Sequence, residues 1–583
     1  MKKIFSIIFF GILFFNAVNS AYAYQQISLV QHNFNQANTS SSDKFNYVII
    51  TTSDLENIVI SLKTWKEYPG FSVEIVNISW ISSSYDGKDI QEQIRNFLID
   101  KYEEWGIDYV LIVGTRNTIP MRRCHPLPNV YDDSVFSDYY YSDLTGNWDL
   151  DEDGYYGEYE DDDVDFIPEI SIGRIPSDNN ETVKRICQNI IEFGSDTGTW
   201  KKNALLLGSI IYYQNLEAYE WIYDRSDGAT VMEECRDDIF EPNGFTCVRM
   251  YETEGIRPST YPYEYPLDRS TVLSEWKNDY GIVNMLGHAN ERYITRFIWD
   301  HDDGDNIPEI SEGELVYEDF LRSTDSKDLS LEKPPIVFSA GCSQLHSSRN
   351  MGKSFMENNA AVAFIGTTDL GFYNITRVWN DENDGGAFSI DYFFFYYLIS
   401  QNQKCGDALS NSKIYFYNNF MFTEYEPDWI YRCYSTLYGF TLYGDPSLGF
   451  YPISNPPEKP NTPDGPASGK IKTEYAYFTS SIEPDSDQIR YLFDWGDNTT
   501  TITDYYPSGD SIVVSHEWNE HGTFNIKVRA EDDHGAWSEW SDPLSVSMPK
   551  SKPYINTPFL NFLENFLQNH PLIYQLLQRV LNL

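Results

Sequence analysis

Two short apolar runs in this chain each end in a reactive side chain. Gly281-Ile282-Val283-Asn284-Met285-Leu286-Gly287 leads into His288-Ala289, and Pro335-Ile336-Val337-Phe338-Ser339-Ala340-Gly341 leads into Cys342-Ser343. Apolar runs of this length between turn formers have the pattern of strands buried on both faces of a parallel sheet. In open α/β sheets the carboxyl ends of the strands form the rim where ligands bind. Adjacent strands would therefore bring His288 and Cys342 out side by side. A thiol beside an imidazole is equipped for covalent acyl transfer, because the ring takes the thiol proton and the thiolate attacks a carbonyl carbon. The bland alternative is a hydrogen-bonded structural histidine and an inert core cysteine. Among the other histidines, His346 lies four residues past Cys342 and is expected to line the same loop. His125 and His301 fall in polar segments with no strand behind them.

The elements that must position this pair follow an alternating pattern. Tyr47–Ile50, Phe71–Val76 and Tyr109–Gly114 read as strands, with helices over Asp54–Glu67 and Ile90–Trp105 between them. Phe166–Pro176 returns to strand and turn, and Glu181–Gly194 is helical. A second α/β unit begins at Ala204–Gly208, passes through the two apolar runs and Ala361–Gly366, and ends near Phe440–Ser447. Strand–helix alternation of this kind predicts a parallel sheet with right-handed crossovers. The predicted organisation is a signal peptide over 1–23, a flexible segment over 24–45, and α/β subdomains over 46–195 and 196–453. A linker over 454–470, a β-sandwich over 471–549 and an amphipathic tail over 550–583 complete it.

At 583 residues the chain exceeds one core, and a hydrophobic content of 41% is ample for globular folding. Its 42 basic and 88 acidic residues give a formal charge of −46, which repels nucleic acid and anionic membranes and suits cations or basic peptides. Lys2 and Lys3 precede an apolar stretch to Val18, and Ala21-Tyr22-Ala23 has the small-x-small cleavage pattern. A soluble, secreted protein without a membrane span in its mature chain is expected. Seven cysteines in so long a chain do not make a disulfide scaffold, and Cys342 is the candidate free thiol. Cys235 and Cys247 are close enough in sequence to pair, which sequence alone does not decide.

Residues 124–173 contain fifteen acidic residues and no Lys or Arg. Asp149, Asp151 and Asp153 alternate ahead of Gly154 and are followed by Glu158 and Glu160, a spacing that suits a structural Ca2+ bound by hard oxygen ligands, with Glu160 as the closing ligand. Neither flank reads as an amphipathic helix, so an EF-hand is excluded. A solvated acidic loop without an ion is the alternative.

Pro456–Gly469 is rich in Pro and Gly and reads as a linker. The short alternating strands that follow predict a β-sandwich. With its Trp495-Gly496-Asp497 turn this segment resembles the polycystic-kidney-disease (PKD) repeat, which implies an extracellular spacer or adhesion module. In the tail, apolar residues at helical spacing from Phe559 to Leu581 are broken by Pro571 into two pieces too short to span a bilayer. Attachment to the cell surface through the PKD-like domain or the tail is a further expectation.

Taken in order, Gly287-His288-Ala289 and Ala340-Gly341-Cys342-Ser343, with Val113-Gly114, Glu169–Arg174, Ala361–Thr368 and Phe440–Leu448, resemble the gingipain-type cysteine peptidases of the caspase and legumain clan. The resemblance implies a caspase-like catalytic region that cleaves protein or peptide substrates. It makes Cys342 the nucleophile and His288 the general base, with the backbone amides of Ala289 and Cys342 forming the oxyanion hole. It also implies a calcium site with Asp165 and Glu169 as ligands and Ile167 contributing a carbonyl. Known members cleave after Arg or Lys, for which Asp224 or Asp227 would supply the acidic pocket. This chain departs from the pattern in two places. Ala289 replaces the usual glycine, and no carboxylate stands near Ser209–Ile211 to orient His288, which leaves Glu217, Glu220 or no acid in that role. The competing functional reading is a catalytically inactive surface protein of the same fold.

Overall fold

The computed structural model describes residues 44–67, 70–127, 134–217, 225–372, 386–421, 427–451, 456–484, 488–532, 537–549 and 557–581. The signal-like segment 1–23, nearly all of 24–45, Glu220, Asp224 and part of the linker lie outside these residues.

Eleven strands form one sheet. They are β1 (Tyr47–Thr51), β2 (Val73–Asn77), β3 (Tyr109–Val113), β4 (Ser171–Ile175), β5 (Asn203–Gly208), β6 (Thr246–Tyr251), β7 (Tyr265–Pro266), β8 (Ile282–Leu286), β9 (Ile336–Ser339), β10 (Ala363–Thr367) and β11 (Phe440–Tyr443). Their order across the sheet is β7-β6-β5-β8-β9-β10-β11-β4-β3-β1-β2. Every pairing is parallel except that of β10 with β11, where Phe364 faces Tyr443 and Thr367 faces Phe440. The two expected α/β units are therefore two parallel half-sheets joined back to back over one continuous core. β11 comes last in sequence among these strands yet pairs in parallel with β4 of the first unit. The central strands are buried along their whole length, as their unbroken apolar runs require.

The helices follow their capping signals. Asp89 accepts a hydrogen bond from Glu92 N at 2.9 Å to open the helix Ile90–Trp105, and Gly106 closes it in the left-handed region. Asn179 does the same for Asn180–Ser195 through Thr182 N. One helix is shorter than its pattern suggests: the segment expected to be helical from Asp54 starts only at Ile60. Ile58, Val59 and Ile60 are consecutive β-branched residues, which lowers helix propensity at that point.

Sequence periodicity did not reveal a three-stranded antiparallel sheet formed by His288–Ala289, Tyr293–Trp299 and Leu315–Arg322. It carries its own small core of Ile210, Tyr213, Phe297, Trp299 and Leu315. Arg296, 2% exposed, ties it to the body through Glu252, Glu254 and the Leu267 carbonyl.

Residues 474–548 form a β-sandwich around Tyr477, Trp495, Trp518 and Val528. Trp495 and Trp518 are fully buried core residues. The Trp495-Gly496-Asp497 turn is locked by Gly496 at φ 74° and by His516 Nε2, which lies 2.8 Å from Asp497 Oδ2 and whose ring stacks on Trp495 at 4.5 Å. The tail forms helices Thr557–Asn569 and Pro571–Leu581, divided at Pro571. Phe559, Phe562 and Leu572 are exposed on them. Among the described residues no helix is long and apolar enough to cross a membrane.

Candidate active site

β8 and β9 are neighbours in parallel register, with Asn284 opposite Phe338 and Met285 opposite Ser339. Their carboxyl ends turn out at the same rim, one into His288 and the other into Cys342. The two turns touch: a Cβ on Gly341 would stand 2.7 Å from Ala289 Cβ and 2.8 Å from Gly287 O. Only glycine permits that approach immediately before the cysteine. Along the rim the order is the 209–213 segment after β5, His288 after β8, Cys342 after β9 and the 368–372 segment after β10.

Three aromatic rings surround the His288 imidazole edge-on: Tyr212 at 5.5 Å, Phe297 at 5.6 Å and Tyr317 at 5.7 Å. Its Nε2 lies 2.8 Å from Ile211 O. A carbonyl only accepts, so Nε2 carries the proton and Nδ1 is the basic nitrogen. Burial lowers the imidazole pKa, partly offset by this carbonyl. The acid that the resemblance leads one to look for is absent from this role among the described residues. Glu217 is exposed and turned away, accepting from Ser311 Oγ and Ser311 N.

Cys342 is half-buried and its Sγ–H points to Gly371 O at 3.8 Å. Burial raises the thiol pKa, a backbone hydrogen bond at Gly371 offsets part of this and the charge of Asp369 raises it further. No hydrogen bond joins sulfur to imidazole, and burial favours the neutral form of each. The loop is built around strain at Ser343, which sits at φ 56°. Its amide donates to Asp369 O at 2.7 Å and to Thr367 Oγ1 at 2.9 Å. Thr367 Oγ1 in turn donates to Gly341 O at 3.0 Å. Buried Gln344 donates to Ser339 Oγ at 2.7 Å, securing the loop from below. His346 does lie in this loop, but its Nδ1 is held 2.9 Å from Thr368 O. All seven cysteines are free, Cys235 and Cys247 included.

Sequence reasoning missed Thr367, Asp369 and Tyr317. The first two had a signal, a polar Thr367-Thr368-Asp369 cluster at the end of a buried apolar run. Tyr317 and the Ile211 carbonyl had none.

The acidic residues separate into two places. Asp149, Asp151 and Asp153 bring carboxylate oxygens within 4.8 Å of one another, and Asp151 does so with Glu158 and Asp161. Glu160 belongs to neither group and is exposed at φ 67°, whereas Glu158 joins Asp151 together with Asp161. Asp149 also meets Lys88 Nζ at 2.5 Å. In the second place Asp165 Oδ1 accepts from Ile167 N at 2.8 Å and Glu169 Oε2 accepts from Leu144 N at 2.6 Å. Both lie near enough to act by charge on Asp143, which is 1% exposed. Burial, then Asp165, then Glu169 push the Asp143 carboxyl up to about 8. The Trp148 indole is near enough to moderate that shift but not to bond, and Asp143 Oδ2 has no hydrogen-bond partner. Asp143, Asp165 and Glu169 act on one another by charge, but their oxygens do not form one of the close carboxylate groups, so the 149–161 stretch fits a divalent cation better.

Of the two candidates for an acidic substrate pocket, Asp224 lies outside the described residues. Asp227 is already engaged. It caps the helix Gly228–Glu234 through Ala229 N and accepts from Ser259 Oγ at 2.8 Å and Arg225 at 3.2 Å. An internal ion pair and cap, it does not present a free carboxylate to a substrate.

Fold and rim together define an α/β protein of the cysteine-peptidase class. The chain belongs to peptidase family C25, whose model matches residues 40–451. Its fold is similar to that of the Arg-specific cysteine proteinase gingipain R (RgpB), at 15% identity and a TM-score of 0.50 over 88% of this chain and 100% of that one. An uncharacterised protein of Archaeoglobus fulgidus is 22% identical over 351 residues, 56% of this chain and 73% of the relative. A C-terminal part is similar to the PKD domain of an M14-like peptidase from Thermoplasmatales archaeon SCGC AB-540-F20. That likeness is 37% identical over 17% of this chain and 99% of the other, with a TM-score of 0.16.

Proposed function

We propose that this cysteine peptidase is a secreted endopeptidase in which Cys342 and His288 break the peptide bond and a basic residue precedes that bond. The observation that carries the reading is the emergence of both side chains at touching turns of neighbouring parallel strands, with His288 Nε2 fixed on Ile211 O. Substrate binding brings the thiol proton to Nδ1, and sulfur bonds to the carbonyl carbon. The amides of Cys342 and Ala289 hold the resulting oxyanion; the Ser343 amide is already consumed by Asp369 and Thr367. His288 then gives its proton to the amine as the C–N bond breaks, leaving a thioester that water hydrolyses.

Support for a basic residue on the acyl side comes from Asp369, whose charge reaches the sulfur from the loop beyond it, and from the similarity to gingipain R, itself described as Arg-specific. Calcium would act structurally, and the carboxylates of Asp149, Asp151 and Asp153 are the better-supported place for it; the resemblance also points to Asp165 and Glu169 with the Ile167 carbonyl, beside buried Asp143, whose carboxyl a cation there would help to ionise. The test uses the full-length chain, calcium and peptides carrying Arg or Lys before the bond. Hydrolysis and labelling by a thiol-directed acylating probe are both expected to vanish in Cys342→Ala and hydrolysis to fall at least about a hundredfold in His288→Ala. Unchanged hydrolysis in Cys342→Ala would instead favour an attachment role for an inactive fold.

A further inference from the structure

On the side of Cys342 away from His288, the rim gathers positive charge. Thr368 follows the Thr367 that holds Ser343, and its Oγ1 donates to Phe136 O at 2.6 Å. Three basic side chains converge on the Phe136 ring. The Arg116 guanidinium carbon lies 4.5 Å from the ring centre, that of Arg123 lies 5.9 Å away, and the His346 imidazole meets the ring at 6.4 Å and 69°. His346 is exposed, belongs to the loop of Cys342 and is tied to Thr368 O, so the cluster is joined to the nucleophile loop.

Stacking on an aromatic face explains where the guanidinium groups lie, but it leaves their N–H donors unspent. Arg123 is exposed and donates to Ser134 Oγ, a neutral acceptor, through Nε at 2.8 Å and Nη2 at 2.6 Å. Arg116 is half-buried, and its Nη1 is shut away from water with no hydrogen-bond partner. Burial lowers the Arg116 pKa, Tyr443 offsets part of this and the charge of Arg174 lowers it further. Among the described residues no carboxylate pairs with Arg116 or Arg123, although the chain carries 88 acidic residues against 42 basic ones. Partly desolvated guanidinium groups without a counter-charge are stabilised most by an anion that also accepts their hydrogen bonds, and a carboxylate does both.

The histidine that protonates the leaving amine faces the leaving half of the substrate. The acyl half therefore runs from Cys342 past Gly371 and Thr368 toward Phe136. We infer that Arg116 and Arg123, with His346 beside them, form a carboxylate-binding subsite for the acyl half of the peptide, selecting an Asp or Glu upstream of the residue that precedes the scissile bond. The inference rests on the peptidase reading above and adds a second selectivity to it, opposite in charge to the basic residue next to the bond.

The experiment measures kcat/KM of the full-length protein on peptides that share one basic residue before the bond and carry Glu or Gln at the second, third or fourth position before it. At one of these positions Glu is expected to exceed Gln by about tenfold in the wild type at low salt, an advantage that shrinks as ionic strength rises. The ratio should fall to about threefold in Arg123→Gln and to near parity when Arg116→Gln is added, and should be largely kept in Arg123→Lys, which retains the charge. A structural role alone would lower Glu and Gln peptides together and leave the ratio intact. Equal rates at all three positions in the wild type, or an undiminished ratio in the double variant, overturn the subsite while Cys342-dependent cleavage continues. Should the double variant not fold, Arg123→Gln at its exposed position decides alone, and an unchanged ratio there overturns the subsite as well. If no cleavage or probe labelling depends on Cys342, the peptidase reading itself fails and the subsite with it.

Discussion

His288 Nε2 rests 2.8 Å from the carbonyl of Ile211, an acceptor that carries no charge. That contact selects the tautomer with Nδ1 unprotonated, yet it stabilises the imidazolium less than a carboxylate would. Glu217 is expected to be dispensable for the same reason. Glu217→Gln should keep kcat/KM within about twofold of the wild type, and a loss of a hundredfold or more would place an acid back in the orienting role.

The resting charge state has its own pH signature. Burial lowers the His288 pKa and raises that of Cys342. Activity needs the neutral ring, so the acid limb of kcat/KM should have its midpoint below the ordinary imidazole value of about 6.5. Alkylation of Cys342 without substrate should keep accelerating above about pH 9, because the thiolate forms late. A preformed thiolate–imidazolium pair would give fast, pH-independent alkylation near neutrality.

Thr367 holds the loop that carries Cys342 through the Ser343 amide and the Gly341 carbonyl. Thr367→Val removes both the acceptor for Ser343 N and the donor to Gly341 O. The expected result is a loss of about tenfold in kcat with KM little changed, and recovery in Thr367→Ser. Equal kcat in the valine variant would show that Asp369 O alone secures Ser343.

Asp369→Asn separates charge from shape on the acyl side. Peptides with Arg or Lys before the bond should lose about ten- to hundredfold in kcat/KM, while the penalty against neutral residues shrinks. An unaltered preference would move the recognition of basic residues elsewhere.

Metal dependence should appear as pH-dependent stability. An unfolded aspartate titrates near about 4, whereas Asp143 in the fold is pushed up to about 8. The native state therefore holds this proton more tightly. Its contribution turns unfavourable as pH rises from about 4 and levels off above about 8, amounting to something on the order of 5 kcal/mol without a cation. Thermal unfolding of calcium-free protein should drop across that window, and calcium should restore it. Asp143→Asn should flatten the pH profile and weaken the calcium effect. A profile indifferent to calcium would remove the ion from this site.

Much of this protein is written locally in its sequence. The unbroken apolar runs ending in His288 and Cys342 specify buried strands, and Asp89 and Asn179 mark helix starts, because these signals depend only on neighbours along the chain. The Trp495-Gly496-Asp497 turn is legible for the same reason. Tertiary structure decided what depends on distant segments. The antiparallel join of β10 and β11 brings Phe440–Tyr443 back beside the first unit, a pairing that no periodicity encodes. The acceptor for His288 is a backbone carbonyl, which every residue possesses, so no residue type at position 211 announces it. Asp227 looks like any acidic loop residue until the fold brings Ser259 and Arg225 to it, and Asp143 becomes exceptional only once Asp165 and Glu169 are folded against it. Residue identity fixes which chemistry is available, and long-range packing fixes which atoms meet, how dry they are and which proton each one keeps.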